Sequence, residues 1–413
     1  MESTDGDVFP IPAPPVATFG PESADVVVIG GGVIGCATAY YLAKRGIDVV
    51  VVERGELCRE ASGANAGTLH IQIPAFHFRE QYLEAVPLSR ERAGLFRATN
   101  RLYVEAARIW PTLETELRSD LGVRIGGGFM VAETAEDVAL LRAKSFYENE
   151  VGIATEIMSM AEMLRYAPNL SPRLAGGSYY PGEGFANPLL VGPAFARRAQ
   201  AWGTRIRRHS RVNGIEPGRN GGFQVDTTTG QLSARQLVVA AGAQTGEVAA
   251  IVGLDLPVRP HPLQVIVSEP WPPILTQMIQ HVGRHLSLRQ TQYGTFVIGG
   301  GWPGVVVPAA PRIGVSLQSI AGNARVACDA LPALRDVRLL RAWGGMTTAT
   351  GATNRVGFLG EYHRLPGFYV AVTGGWGFTL APVLGRLMAE LIAEGKTSLP
   401  IEHFDLDHIA AIV

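Results

Sequence analysis

The stretch Asp25-Val-Val-Val-Ile-Gly-Gly-Gly-Val-Ile-Gly35, with the Cys36–Arg45 segment, Gly46, Ile47–Val52 and Glu53 that follow it, decides the fold. Asp25–Ile29 is a β-branched run of the kind buried on both faces of a parallel sheet. The glycines at 30, 32 and 35 come directly after it and open a helix. In that helix Ala37, Tyr40, Tyr41 and Leu42 recur at helical spacing, and Gly46 supplies the C-cap. Ile47–Val52 is a second strand, closed by Glu53-Arg54. In such a βαβ unit the first glycine permits a tight turn and the second lets the backbone approach a pyrophosphate. The third lets helix and strand pack closely, and the helix amino terminus faces the negative charge. A carboxylate closing the second strand suits ribose hydroxyls and argues against the 2′-phosphate of NADP.

Outward from this unit, glycine-bearing loops recur at strand ends: Ser62–Gly67, Ala240–Gly242 and Gly374–Gly377. Several loops presenting backbone N–H groups suit an elongated, two-part cofactor. Tyr82–Ala106 and Leu189–Trp202 read as helices. Arg211–Val225 reads as strand, turn (Gly218–Gly221) and strand, and Leu237–Gly242 as a buried strand. Gly367–Thr373 is a strand followed by the Gly374–Gly377 loop and a Leu380–Ala393 helix. Around Val123–Glu133 and Leu286–Gly299 strands are separated by glycines, the pattern of an antiparallel sheet.

Composition narrows the function classes. Of 413 residues, 47% are hydrophobic and 18% charged, a globular composition. Lys plus Arg (36) balance Asp plus Glu (37), so neither nucleic acid nor an anionic membrane is expected as partner. Cys36, Cys58 and Cys328 are too few for a disulfide framework or for the ligands of an iron–sulfur cluster, which leaves electrons to an organic cofactor. No metal site is expected; His281 and His285 stand in loop and strand sequence without a neighbouring carboxylate. Residues 1–23 are Pro-rich and read as a mobile arm without signal-peptide character. The apolar runs are strand-length, so no transmembrane segment and a cytoplasmic location are expected.

Four stretches are similar to the D-amino acid oxidase-type family of FAD-dependent oxidoreductases, which includes glycine and sarcosine oxidases. They are Val27–Gly35 with Glu53-Arg54, the Ala61–Gly67 loop, Val238–Thr245, and Gly367–Gly385 with Ala381-Pro382. Within the family, Leu288–Gly294 followed by Ile298–Gly301 resembles the catalytic subunits of opine dehydrogenases, hydrogen cyanide synthase and hydroxyproline dehydrogenases. The resemblance implies an α/β FAD-binding Rossmann-type domain with an α+β substrate domain built on a largely antiparallel sheet. The FAD-binding part is expected over 24–110, 175–255 and 341–413, and the substrate part over 111–174 and 256–340. It further implies that Gly30, Gly32, Val33, Ile34, Gly35, Glu53 and Arg54 hold the ADP portion. Ser62, Ala66, Gly67 and Leu69 would follow the pyrophosphate and flavin, Val212 the adenine, and Gly242 the middle. Gly374, Gly375, Trp376, Gly377, Phe378 and Thr379 would close on the flavin ring. No cysteine follows Cys328, so the flavin is expected to be non-covalent.

The chain also departs from the family pattern. No arginine occurs from Ala342 through Asn354, Thr379 stands where sarcosine-type members have lysine, and Pro262-Leu263-Gln264 replaces the usual Arg-Gly-Gln. Both customary carboxylate clamps are missing, which turns the expectation from glycine towards an opine or imino acid. Oxidation removes a hydride from the carbon beside nitrogen and delivers it to flavin N5, so the protein supplies placement and charge. The candidate pocket residues are His70, which could accept the amine proton or equally be structural, Arg289 as a replacement clamp or a solvated surface charge, and Trp343 and Trp376 as walls or core. The electron acceptor is expected to be oxygen, a quinone or a partner subunit. An electron-relay or scaffold subunit of a hetero-oligomeric dehydrogenase, a 2-hydroxy acid dehydrogenase and an NAD-dependent dehydrogenase are the competing readings.

Overall fold

A computed structural model describes residues 22–74, 78, 90–218, 221–307, 312–350 and 357–406. The arm expected over residues 1–23 lies outside this set apart from Glu22 and Ser23, which already belong to the first strand. That strand, β1, spans Glu22–Ile29, helix α1 spans Val33–Ala43, and strand β2 spans Val49–Val52. β1 therefore begins three residues before the apolar run, because Glu22, Ser23 and Ala24 continue the parallel ladder against Leu232, Ser233 and Ala234. Val26–Ile29 are 0–4% exposed, as a strand covered on both faces must be.

The first sheet runs, from one edge, Gly357–Glu361, Phe368–Thr373, Gly230–Val239, β1, β2 and Arg205–Arg207. All its steps are parallel except the first. Val212–Pro217 and Phe223–Thr227 add an antiparallel meander to the start of Gly230–Val239. α1 is buried almost throughout and is enclosed by the helices Pro188–Gln200 and Gly377–Glu394. Close approach to the second of these depends on Gly385, where a Cβ would come within 2.6 Å of the Ala37 Cβ.

The second sheet has eight strands: Leu339–Thr350, Val258–Pro270, Thr295–Gly299, Ser287–Gln290, Met278–His281, Gly128–Ala132, Gly176–Tyr180 and Glu156–Ser159. Every step is antiparallel except Met278–His281 against Gly128–Ala132. The helix Leu317–Ala330 lays Val326, Ala327 and Ala330 on the apolar face formed by Ile266, Leu288 and Ile298. The sequence reading puts Gly176–Tyr180 and most of Leu339–Thr350 in the FAD-binding part, yet both hydrogen bond in this sheet, the latter along nearly the whole of Val258–Pro270. Glycine and threonine interrupt their apolar alternation, which conceals them as strands.

The two sheets face each other across the carboxyl ends of the parallel strands, where an open α/β sheet places its ligand. The α1–Gly385 contact gives a direct check on this packing. Gly385→Val should lower stability by about 1–3 kcal/mol through overpacking, seen as a lower urea midpoint at unchanged m-value.

Candidate active site

Between the sheets lies a cavity of about 1010 Å³. At one end it is lined by Gly30, Gly32, Val33, Ile34, Glu53, Arg54 and Ser62. Gly30 turns at φ +114°, and a Cβ there would overlap the Ala240 carbonyl of the neighbouring strand, so the turn admits only glycine. The Gly31 peptide is fixed at both of its ends. Its N–H donates to Glu53 Oε2 at 2.7 Å, and its carbonyl accepts from Cys58 N–H at 3.0 Å and from the Cys36 and Cys58 thiols at 3.5 Å. Glu53 Oε1 also accepts from Gly55 N–H at 2.8 Å, so the carboxylate is locked at the mouth of the glycine turn. Ser62 Oγ accepts from Val33 N–H at 2.9 Å and ties the following loop to the start of α1.

The cavity continues past Ser210–Asn213 and Ala240–Gln244 to Gly374–Thr379, where the helix Gly377–Glu394 begins with Trp376 as its N-cap. Side chains at Gly242 or Gly375 would meet no protein atom within 4 Å. The space those missing Cβ atoms leave is cavity, as a cradle for a long ligand requires. Backbone amides at two helix amino termini, α1 and Gly377–Glu394, thus open onto a single elongated volume. The residues present fit an FAD: a ribose-type carboxylate and a phosphate-type turn at one end, and a positive helix end at the other. Of the expected cofactor contacts, Gly35, Gly67 and Leu69 do not line the cavity but stand behind its wall; the others line it.

The four expected pocket residues separate. Trp376 lines the cavity, with its ring 5.8 Å from that of His70 in an edge-on arrangement. Trp343 and Arg289 do not line it. Both reach from the second sheet to the Ala61–Gly67 loop. Trp343 Nε1 donates to the Ala64 carbonyl at 2.8 Å, and Arg289 Nε donates to the Ala66 carbonyl at 2.6 Å. A surface position for Arg289 is excluded, since only 6% of the residue is exposed.

His70 lines the cavity, but neither ring nitrogen is at liberty. The Gln280 side chain donates through Nε2 to Glu183 Oε1 at 3.1 Å, which directs its own Oε1 at His70 Nδ1, 2.9 Å away. His70 therefore donates from Nδ1, and its Nε2 accepts from the Thr68 hydroxyl at 2.8 Å. Ser287 Oγ donates to Thr68 Oγ1 at 3.1 Å, completing the chain Ser287, Thr68, His70, Gln280, Glu183. Desolvation lowers the His70 pKa to about 4, partly opposed by Gln280, so the imidazole is neutral at physiological pH. Of the two readings of His70, these fixed hydrogen bonds favour the structural one. Burial raises the Glu183 pKa, while the N–H groups of Ile71, Gln72 and the Gln72 side chain oppose the shift. Those donors address both oxygens, as a carboxylate demands.

The sequence reading misses Thr68, Gln280 and Ser287, although the strand pattern holds a signal for two of them. Gln280 and Ser287 are directly paired across neighbouring strands whose alternate residues, Ile279 and Leu288, are fully buried apolar side chains. Polar residues alternating with core in a hairpin mark its cavity face.

This architecture has known counterparts. A family model described as "FAD dependent oxidoreductase" (DAO) matches residues 25–391. An opine oxidase subunit of Rhizobium meliloti is 27% identical over 386 residues, covering 90% of this chain and 94% of that protein. Glycine oxidase of Geobacillus kaustophilus is 28% identical over 398 residues, with 94% and 98% covered. The crystal structure of the Geobacillus kaustophilus glycine oxidase superposes with a TM-score of 0.79 at 25% identity over 93% of this chain and 98% of that one. L-proline dehydrogenase from P. horikoshii shares the fold, with a TM-score of 0.81 at 23% identity over 95% and 99%. The match opens inside β1 and closes in the helix that carries Gly385, so it takes in every loop gathered around the cavity: the chain belongs to the DAO family and is an FAD-dependent oxidoreductase.

Proposed function

We propose that this enzyme oxidises the C–N bond of a small secondary amine or amino acid, with an opine or imino acid preferred. The observation that carries the reading is the neutral, fully hydrogen-bonded wall made by Thr68, His70, Gln280 and Ser287 beside the Gly374–Thr379 end of the cavity. An amine must give up a hydride as its free base, and a wall without an ionised acid does not hold it as the ammonium ion. Bound FAD supplies the acceptor for the two electrons and the hydrogen that leave the carbon. The side chains named here orient the substrate and keep water away; the iminium product loses its N–H proton to solvent or is hydrolysed. Relatives named for acting on amines support the same class: the opine oxidase subunit, glycine oxidase, and the sarcosine oxidase β subunit of Arthrobacter, 28% identical over 94% of this chain.

Two of those relatives are named as subunits, which favours a second element of the proposal: this chain works in a hetero-oligomer and passes its electrons to a partner subunit, a quinone or oxygen. Among the described residues no helix is long and apolar enough to cross a membrane. We place the enzyme in the cytoplasm. Residues Glu53, Arg54, Ser62, Val212, Gly242 and Gly374–Thr379 are proposed to hold the FAD.

Anaerobic addition of opines and imino acids should bleach the visible flavin absorbance of the purified protein, whereas bleaching by a 2-hydroxy acid alone would sink the amine assignment. Glu53→Gln, which leaves a single acceptor for Gly31 and Gly55 N–H, should weaken FAD binding by about tenfold, measured by titrating apoprotein. Because the His70 pKa lies near 4, the acidic limb of kcat/KM should belong to the substrate amine and keep its pKa in His70→Asn; its disappearance in that variant would reinstate His70 as the base. In the same sense, between pH 6.5 and about 4 the unfolded chain protonates this histidine and the folded chain does not. Its contribution to stability is thus complete above pH 6.5 and declines as the pH falls through that window.

A further inference from the structure

Arg289 is the buried charge that the proposed chemistry leaves unused. Two other buried cations are paired: Lys144 with Glu148 at 2.5 Å, and Arg207 with Glu22. Among the described residues no carboxylate pairs with Arg289. Its guanidinium lies 4.7 Å from the centre of the Phe185 ring, its Nε holds the Ala66 carbonyl, and a Cβ on Gly67 would stand 3.1 Å from its Nη2. Desolvation alone lowers its pKa, to about 10, so it remains a cation at neutral pH. The ring face and one carbonyl offset only part of the cost of burying it. Ala66 lines the cavity, so the charge is held one hydrogen bond from the cavity wall.

We propose that Arg289 serves the cofactor and not the substrate: it is a positioning residue that pins residues 66 and 67 against the cavity, and its uncompensated charge makes the bound FAD easier to reduce. The inference rests on FAD occupying this cavity and is independent of which amine is oxidised. Electrons arriving in the cavity bring negative charge into a region of low dielectric, and a fixed cation behind the wall stabilises that state more than the oxidised one. Pinning and charge can be separated. Lysine keeps the charge but loses the planar Nε–H contact and the stacking on Phe185, while methionine fills a similar volume and loses both.

The test compares wild type, R289K, R289M and W343F as purified flavoproteins, reading the flavin midpoint potential by spectroscopic reductive titration and the FAD dissociation constant by titration of apoprotein. R289M should show a more negative potential and FAD binding weaker by about tenfold or more, the loss of a charge-assisted hydrogen bond. R289K should share the weaker binding and keep most of the wild-type potential. W343F loosens the same loop at Ala64 without removing a charge, so it should weaken binding at an unchanged potential. A wild-type potential in R289M overturns the proposal. So does a fall of the same size in R289M, R289K and W343F, which would make loop displacement the cause. Should R289M retain no FAD, R289K and W343F carry the comparison: equal loss of potential in both overturns it, and unchanged potential in both with weakened binding upholds the pinning while the charge is read from R289Q. A wild-type protein that binds no FAD would instead fail the reading of the cavity itself.

Discussion

The flavin-side loop Ala61–Gly67 is held from both sheets at once, and the site depends on that clamp. From the first sheet, Ser62 Oγ receives the Val33 amide at the start of α1. From the second, Trp343 and Arg289 donate to the carbonyls of Ala64 and Ala66. Asn65 closes the loop on itself, donating to the Ala61 and Ser62 carbonyls and accepting from Gly67 N–H. With these carbonyls engaged, the loop cannot turn its negative ends towards the cavity without breaking several bonds at once. The loop is thereby tied to both sheets at once.

The segment leaving that clamp is supported by unusual means. Ile71 and Gln72 donate their backbone N–H groups to Glu183, and Ile73 donates to Glu148 at 2.7 Å. Both carboxylates are fully buried, and Glu148 is paired with the equally buried Lys144. An apolar core could not satisfy three consecutive amides that belong to no sheet ladder; charged acceptors can, at a desolvation cost the surrounding donors offset. The same Glu183 orients Gln280 and, through it, the tautomer of His70. Structural support and the polarity of the cavity wall come from one buried carboxylate.

How much of this is legible in the sequence depends on the distance over which each feature is decided. The Gly30–Gly35 turn, its flanking strands and Glu53 are decided within one βαβ unit, where each residue type has a local backbone reason. The Gly374–Thr379 loop and the hairpin of 287–299 likewise carry their own punctuation. The roles of Arg289 and Trp343 are decided by partners that lie far away in sequence. Strand alternation shows the face of Arg289 but not its depth, and the loop that covers it comes from the other end of the chain. Leu339–Thr350 escapes for a related reason: Gly344, Gly345 and its threonines read as a loop until Val258–Pro270 lies alongside. Residues 79–89, at the start of the expected Tyr82–Ala106 helix, fall outside the described set; Arg90–Ile109 is helical.

The arrangement of charge divides the cavity by task. Around the cofactor it is organised: Glu53 at the turn, two helix amino termini, and the Arg289 cation behind the loop. The stretch of wall made by Thr68, His70, Gln280 and Ser287 is uncharged, because desolvation and fixed hydrogen bonds disfavour a charge on His70 and the hydroxyls of Thr68 and Ser287 are already committed; Arg284, which also lines the cavity, is paired with Glu133 and Asp329. Such a division suits a reaction whose charge change falls on the cofactor and whose substrate must react as a neutral amine. A cation aimed into the cavity would favour binding of an anionic group but would compete with the fixed charges that serve the flavin. With its guanidinium withdrawn behind Ala66, Arg289 acts on the cofactor's charge without drawing a carboxylate into the place where the amine must lie.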